Sequence, residues 1–209
     1  MMAESRMNDF IKVLSSSEPV PGGGGASAYA AAIGMALGSM VANLTTGKKK
    51  YAEYQDEIEE IIASAETIAE ELLEFMDKDA EAFEPLSKAY GLPKNTEEEI
   101  AERTRIMEQA LKAASEAPLA LMEKIMEALV LILRLSVIGS RIAISDAGVG
   151  AQMCKAALNG ASLNVFINTK LMKNRELAEQ MNARADEMLA KGNQMADEAY
   201  ENVVKAIRG

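Results

Sequence analysis

Residues 19–51 read PVPGGGGASAYAAAIGMALGSMVANLTTGKKKY. Four glycines open the stretch, three lysines close it, and no charged residue stands between Glu18 and Lys48. Small residues on every side predict a helix over 26–45 that must be covered all round. Gly34 and Gly38 make a GxxxG pair within it, which lets a second backbone come close. In a chain of 209 residues, a second copy is a natural source of part of that cover. The glycines read as a loop ahead of the helix, where unpartnered first-turn amides favour an anionic or carbonyl-bearing ligand. A flexible hinge that holds no ligand is the alternative. No nucleotide motif is present. A P-loop needs Gly-Lys-Ser/Thr after its glycines, but Gly25 is followed by Ala26-Ser27. A dinucleotide fingerprint needs a preceding strand, but residues 13–18 read as a helix end and a polar loop.

Downstream, residues 52–90 read as a long charged helix. Its inward stripe steps by three or four through Ile58, Ile61, Ala65, Ile68, Leu72, Phe75, Asp79, Ala82 and Leu86. Every member but one is apolar. Turning a carboxylate into a core costs several kcal/mol, on the order given for buried ions, unless something compensates it. Asp79 is therefore either a catalytic carboxylate with a raised pKa, or half of a buried salt bridge, or a cap on another helix. Asp77, two residues earlier, belongs to a different face.

Upstream, residues 5–14 carry Met7, Phe10, Ile11 and Leu14 at helical spacing. Gly91-Leu92-Pro93 stops the long helix, and Thr96 with Glu99 has capping-box spacing for the next. That helix is expected to reach about Ser140 and to bend near Pro118. Residues 130–138 are branched enough for a strand, but a lone strand has no partner, so they read as buried helix. Ser145 or Asp146 is expected to cap a second small-residue helix that ends near Lys170. On it Asn164 and Asn168 share a face, either bridging helices or meeting a ligand. A last amphipathic helix covers 175–207, with Leu177, Met181, Met188, Met195, Ala199 and Val203 inward. The fold class expected is all-α: a single-domain bundle of long helices over residues 1–209, with two small-residue helices buried in it.

Composition narrows the function. With 49% apolar and 26% charged residues the chain can build a sizeable core. A net charge of −10 argues against nucleic-acid or anionic-membrane binding, so an anionic ligand needs a local basic patch. The uncharged run over 24–44 is long enough to raise a membrane span, but Ala, Gly and Ser fit a buried helix better. Cys154 alone excludes an internal disulfide and a cysteine-rich metal site, and a reducing, cytoplasmic setting is expected. The N-terminus lacks a signal-peptide pattern. With no histidine, catalysis must use carboxylate, amine or backbone groups, and no metal site is expected.

Seven pieces in this order resemble one family. They are Pro21-Gly22-Gly23-Gly24, Met40-Val41-Ala42-Asn43, Lys49-Lys50-Tyr51, Asp79-Ala80-Glu81-Ala82-Phe83, Leu92-Pro93-Lys94-Asn95-Thr96, Ser145-Asp146 and Asn164-Val165-Phe166-Ile167-Asn168. Together they look like the cyclodeaminase part of formiminotransferase-cyclodeaminase and its stand-alone relatives, methenyltetrahydrofolate cyclohydrolase among them. The resemblance implies an all-helical homodimer without a cofactor, acting on tetrahydrofolate one-carbon derivatives. It would convert 5-formiminotetrahydrofolate to the 5,10-methenyl compound and ammonia, or hydrate the methenyl compound to 10-formyltetrahydrofolate. The family's active-site aspartate falls on Asp79. Gly22, Gly23, Gly24 and Gly25 would let folate lie against backbone amides. Asp146 would pair with the donor edge of the pterin, or else cap its helix. Lys48, Lys49 and Lys50 would meet a polyglutamate tail, or else form a solvated helix start. Asn164 and Asn168 join the site through the resemblance alone. Two departures stand out: the extra Gly25, and the glycines of Gly148-Val149-Gly150. A non-catalytic helical interaction or folate-binding module is the competing expectation.

Overall fold

The computed structural model describes residues 2–209. Six α-helices follow one another: α1 (Met7–Leu14), α2 (Gly23–Asn43), α3 (Gln55–Tyr90), α4 (Glu97–Ile138), α5 (Ile144–Thr169) and α6 (Arg175–Arg208). Single 3₁₀ turns lie at Met2–Glu4 and Lys49–Tyr54, and there is no strand among the described residues. Residues 130–138 are helical, as their lack of a pairing partner requires. Thr96 and Glu99 close the capping box that starts α4, each side chain accepting the other's backbone N–H at 3.2 Å.

Helix α2 lies against α3, α4 and α5, and α6 packs on α4 and α5. By length and composition α2 is able to cross a membrane, yet 56% of its apolar window is buried among these neighbours. The small residues explain how it fits. A β-carbon on Gly34 would sit 2.6 Å from Cys154 Sγ and 2.8 Å from the Gly150 carbonyl oxygen. One on Gly150 would sit 2.7 Å from the Gly34 oxygen, so α2 and α5 meet backbone to backbone. Gly38 instead faces side chains, the Met35 methyl at 2.9 Å and Ile132 Cγ1 at 3.0 Å.

Three boundaries differ from expectation. The tetraglycine is not a loop: Gly22 is the N-cap, and Gly23, Gly24 and Gly25 form the first turn of α2. Glycine has little preference of its own, so a partner from α3, described below, decides where this helix starts. Helix α3 starts at Gln55 rather than 52, because Tyr51 holds a non-helical φ of −117° and ψ of 17° inside the 3₁₀ turn. Neither Ser145 nor Asp146 caps α5, which begins at Ile144 after an Ala143 N-cap without a side-chain hydrogen bond. Helix α4 runs through Pro118 without interruption.

The two glycines of the GxxxG pair give opposite expectations. Alanine at Gly38 gains helix propensity of about 1 kcal/mol, and its neighbours can move aside. Alanine at Gly34 meets backbone that cannot move, which costs about 1–3 kcal/mol as overpacking. Denaturant unfolding should therefore show Gly34→Ala below wild type and Gly38→Ala at or above it; equal midpoints would contradict the close α2–α5 contact.

Candidate active site

The head of α2, the middle of α3, and α4 and α5 enclose a cleft of about 240 Å³. Its polar lining comes from Gly22, Gly23, Gly24, Asp79, Asn164 and Asn168. Pro19, Val20, Phe83 and Ile167 supply apolar walls. Residues from three separate motifs thus converge, and Gly25 stands directly behind them.

Asp79 occupies the centre. The helical stripe that carries it buries Ile58, Ile61, Ala65, Ile68, Leu72 and Leu86, with Met76 in place of the half-buried Phe75. Asp79 Oδ2 accepts the Gly25 N–H at 3.2 Å, so α3 caps the first turn of α2 across 54 residues of sequence. Among the described residues no cation pairs with it, and Oδ1 takes no hydrogen bond. The carboxylate lies over Gly24, where any β-carbon would overlap it. Gly24 is therefore required by close approach. Burial pushes the Asp79 pKa up, and the Gly25 amide opposes the rise. The result is a half-buried carboxyl with one oxygen tethered and the other open to the cleft. Such a group can take a proton from a reactant and return it. Asp77 faces away and accepts the Met2 N–H at 2.9 Å.

The asparagines sit on α5 opposite. Asn164 Nδ2 donates to the Gly160 carbonyl at 3.1 Å, and Asn168 Nδ2 donates to the Ala114 carbonyl of α4 at 2.8 Å. Asn168 therefore both bridges helices and lines the cleft. A β-carbon on Gly23 would lie 3.6 Å from the Asn164 side chain, which closes this end of the cleft.

Lys48, Lys49, Lys50 and Asp146 are not brought to this cleft. The lysines follow the far end of α2, about 30 Å from its head at 1.5 Å per residue. There Lys48 Nζ donates to Ser140 Oγ at 2.9 Å, and Lys50 approaches the Tyr51 ring at 5.6 Å. Asp146 is in the first turn of α5, which starts at that same end. Cys154 is buried against α2, and burial raises its thiol pKa to about 12, leaving it unreactive. No group of His, Cys, Asp and Glu side chains among the described residues is arranged to hold a metal ion. The apolar walls at Pro19, Val20 and Ile167, and the Ala114 carbonyl, carried no polar signal that would have singled them out.

Residues 6–187 match the family model of formiminotransferase-cyclodeaminase. The chain belongs to the formiminotransferase-cyclodeaminase family. Within this family it is 39% identical over 203 residues to methenyltetrahydrofolate cyclohydrolase of Methylorubrum extorquens, covering 97% of this chain and 98% of that one. It is 32% identical over 185 residues to formimidoyltransferase-cyclodeaminase of Gallus gallus. That match covers 88% of this chain and 34% of the other, so the chain spans about a third of the latter's length. The crystal structure of formiminotetrahydrofolate cyclodeaminase from Thermotoga maritima superposes with a TM-score of 0.82 at 28% identity, covering 100% of this chain and 98% of that one. The all-helical architecture is therefore that of the family.

The raised Asp79 pKa has a stability consequence. The folded carboxyl holds its proton more tightly than the unfolded one, whose ordinary value is 3.8. Its contribution to stability is then complete below that value and lost as pH rises through the folded pKa. Asp79→Asn retains an acceptor for Gly25 and removes the titration. Its thermal midpoint should exceed wild type at pH 7–8, with the gap closing towards the ordinary carboxyl value; a variant less stable than wild type at every pH would contradict this.

Proposed function

We propose that this protein hydrates 5,10-methenyltetrahydrofolate to 10-formyltetrahydrofolate, with Asp79 as general base and then general acid. The observation that carries the reading is the tethered carboxyl at the head of α2, without a paired cation and raised in pKa, inside the cleft. Likeness along nearly the full length of both chains to a methenyltetrahydrofolate cyclohydrolase supports it. The methenyl carbon is cationic, and a carboxylate beside it favours that charge. Water adds to the carbon while Asp79 takes one of its protons. The tetrahedral centre then collapses: the carbon–N5 bond breaks, Asp79 returns the proton to N5, and the hydroxyl proton leaves to solvent. The formyl group remains on N10, and one proton is released overall.

The likeness to the Thermotoga maritima cyclodeaminase favours a second reading with the same residues. N10 of 5-formiminotetrahydrofolate attacks the amidinium carbon, Asp79 takes the N10 proton, and the departing nitrogen receives it and leaves as ammonia. Gly22, Gly23 and Gly24, with the first-turn amides of α2, face the carrier, and Asn164 and Asn168 meet it from α5. Lys48, Lys49, Lys50 and Asp146 take no part in this reading of a single chain's cleft. A polyglutamate tail is compatible with the substrate but has no counter-charge within the cleft.

We further propose that the working form is a homodimer joined through the outer face of α2 and α5. Ile33 and Met40 on α2 and Leu44 at its C-cap, with Val149, Leu163 and Ile167 on α5, are 37–67% exposed. Helix α2 carries no charge, and these residues lie side by side because the two helices touch along their length. A charge-free face suits an identical face related by a two-fold axis, since like charges would otherwise meet. Ile167 belongs to this face and to the cleft, so a partner would border the substrate.

Absorbance of the methenyl chromophore tests the reaction. Its decay indicates hydration, and its growth from the formimino compound indicates deamination. Asp79→Asn should lower turnover about a hundredfold or more, and near-wild-type turnover would discard the assignment. Light scattering tests the assembly: wild type at twice the chain mass and Leu163→Glu at the single-chain mass are expected, and a monomeric wild type would refute it.

A further inference from the structure

Pro118 lies in the interior of α4 and is buried there. Proline has no amide hydrogen, so the carbonyl four residues earlier, that of Ala114, loses the donor that an α-helix would ordinarily give it. The Asn168 side chain of α5 supplies one, its Nδ2 donating at 2.8 Å across 54 residues of sequence. A carbonyl oxygen only accepts, so this contact fixes the Asn168 amide with nitrogen on α4 and Oδ1 turned away. Oδ1 takes no hydrogen bond among the described residues, and Asn168 and Ala114 both line the cleft that holds Asp79.

Asn164, one turn earlier, is arranged alike, its Nδ2 spent on the Gly160 carbonyl. Each amide thus has one Nδ2–H committed to a backbone carbonyl and an Oδ1 without a hydrogen bond among the described residues, and both residues line the cleft that holds Asp79. Were residue 118 to carry an N–H, it would share the Ala114 carbonyl with Asn168 and weaken the tether, since only one of the two lone pairs would remain for the side chain. The amide would then be held less firmly in one orientation.

We infer that Pro118 is a positioning residue. By leaving the Ala114 carbonyl open, it holds Asn168 as a fixed hydrogen-bond acceptor for a donor edge of the substrate. Resting on the folate reading, that edge is the 2-amino and N3–H side of the pterin, two adjacent donors that two adjacent oxygens match. A carrier lacking those donors leaves both acceptors unpaired, so the device selects for the pterin.

The test combines kinetics with a substrate-free readout. Pro118→Ala restores the N–H. It should raise KM for 5,10-methenyltetrahydrofolate about tenfold, the loss of one well-placed hydrogen bond, while kcat is retained. Its thermal midpoint should hold or rise, because interior proline disfavours a helix. Asn168→Leu should raise KM similarly, and the double variant should show no further rise, since the two residues act through one contact. Without substrate, the Asn168 side-chain amide protons, observed by ¹⁵N–¹H NMR, should exchange slowly in wild type and fast in Pro118→Ala. An unchanged exchange rate, an unchanged KM in Pro118→Ala, or additive rises in the double variant would overturn the inference. A wild-type protein that leaves methenyltetrahydrofolate unaltered while the exchange difference persists would instead overturn the folate reading and leave the positioning in place.

Discussion

One hydrogen bond organises the molecule: the Gly25 amide of α2 donates to the Asp79 carboxylate of α3. The first amides of any helix lack partners in their own helix, and a carboxylate there is favoured by the helix dipole. The same contact draws an acidic side chain in among apolar neighbours, which costs folding free energy and raises its pKa. Glycine is needed at position 24 because the carboxylate occupies the space of its β-carbon. A helix cap and a partly buried carboxyl with one oxygen open to the cleft are thus the same group. The tethered oxygen holds position while the open one faces the cleft.

The rest of the bundle holds that contact in place. Helix α2 must pass through the core for its head to meet α3, and only small residues let it do so. Gly34 and Gly150 allow α2 and α5 to touch, which sets Asn164 and Asn168 opposite the carboxylate. The Ala114 carbonyl, four residues before Pro118, accepts from Asn168 and ties α5 to α4 beside the cleft. Long amphipathic helices α3, α4 and α6 then supply most of the buried Ile, Leu and Met side chains, to which the small-residue helices add only Met35, Ile144 and Leu158.

What was legible in the sequence was whatever depends on local periodicity. A charged residue in an apolar stripe marked Asp79, four-residue spacing put the asparagines on one face, and Thr96 with Glu99 announced a helix start. What was not legible depends on partners far along the chain. Four glycines look like a loop because nothing in their own sequence forms a helix; the cap comes from residue 79. The lysine triplet looks like part of the site because it ends the same segment, but a helix of 21 residues carries it to the far pole. Asp146 resembles a cap, but the chain turns at Ser140–Ala143 and starts α5 two residues sooner, while Tyr51 takes the Arg141 N–H. The pairing of Asn168 with Ala114 leaves no trace in either local sequence. Its clue was a proline inside an otherwise regular helix, which predicts a bend but does not say what fills the vacant bond.

The central claim is that Asp79 is a partly buried acid that holds its proton more tightly than an ordinary aspartate in the free protein and less tightly beside a cationic carbon. A ¹³C NMR titration of the aspartate carboxyl carbons, with Asp79 assigned by its absence in the Asn variant, measures this directly. The account predicts a midpoint above the ordinary 3.8 in the free protein, moving down when a cationic methenyl folate is bound. A midpoint at or below the ordinary value in the free protein, unmoved by that ligand, would contradict it.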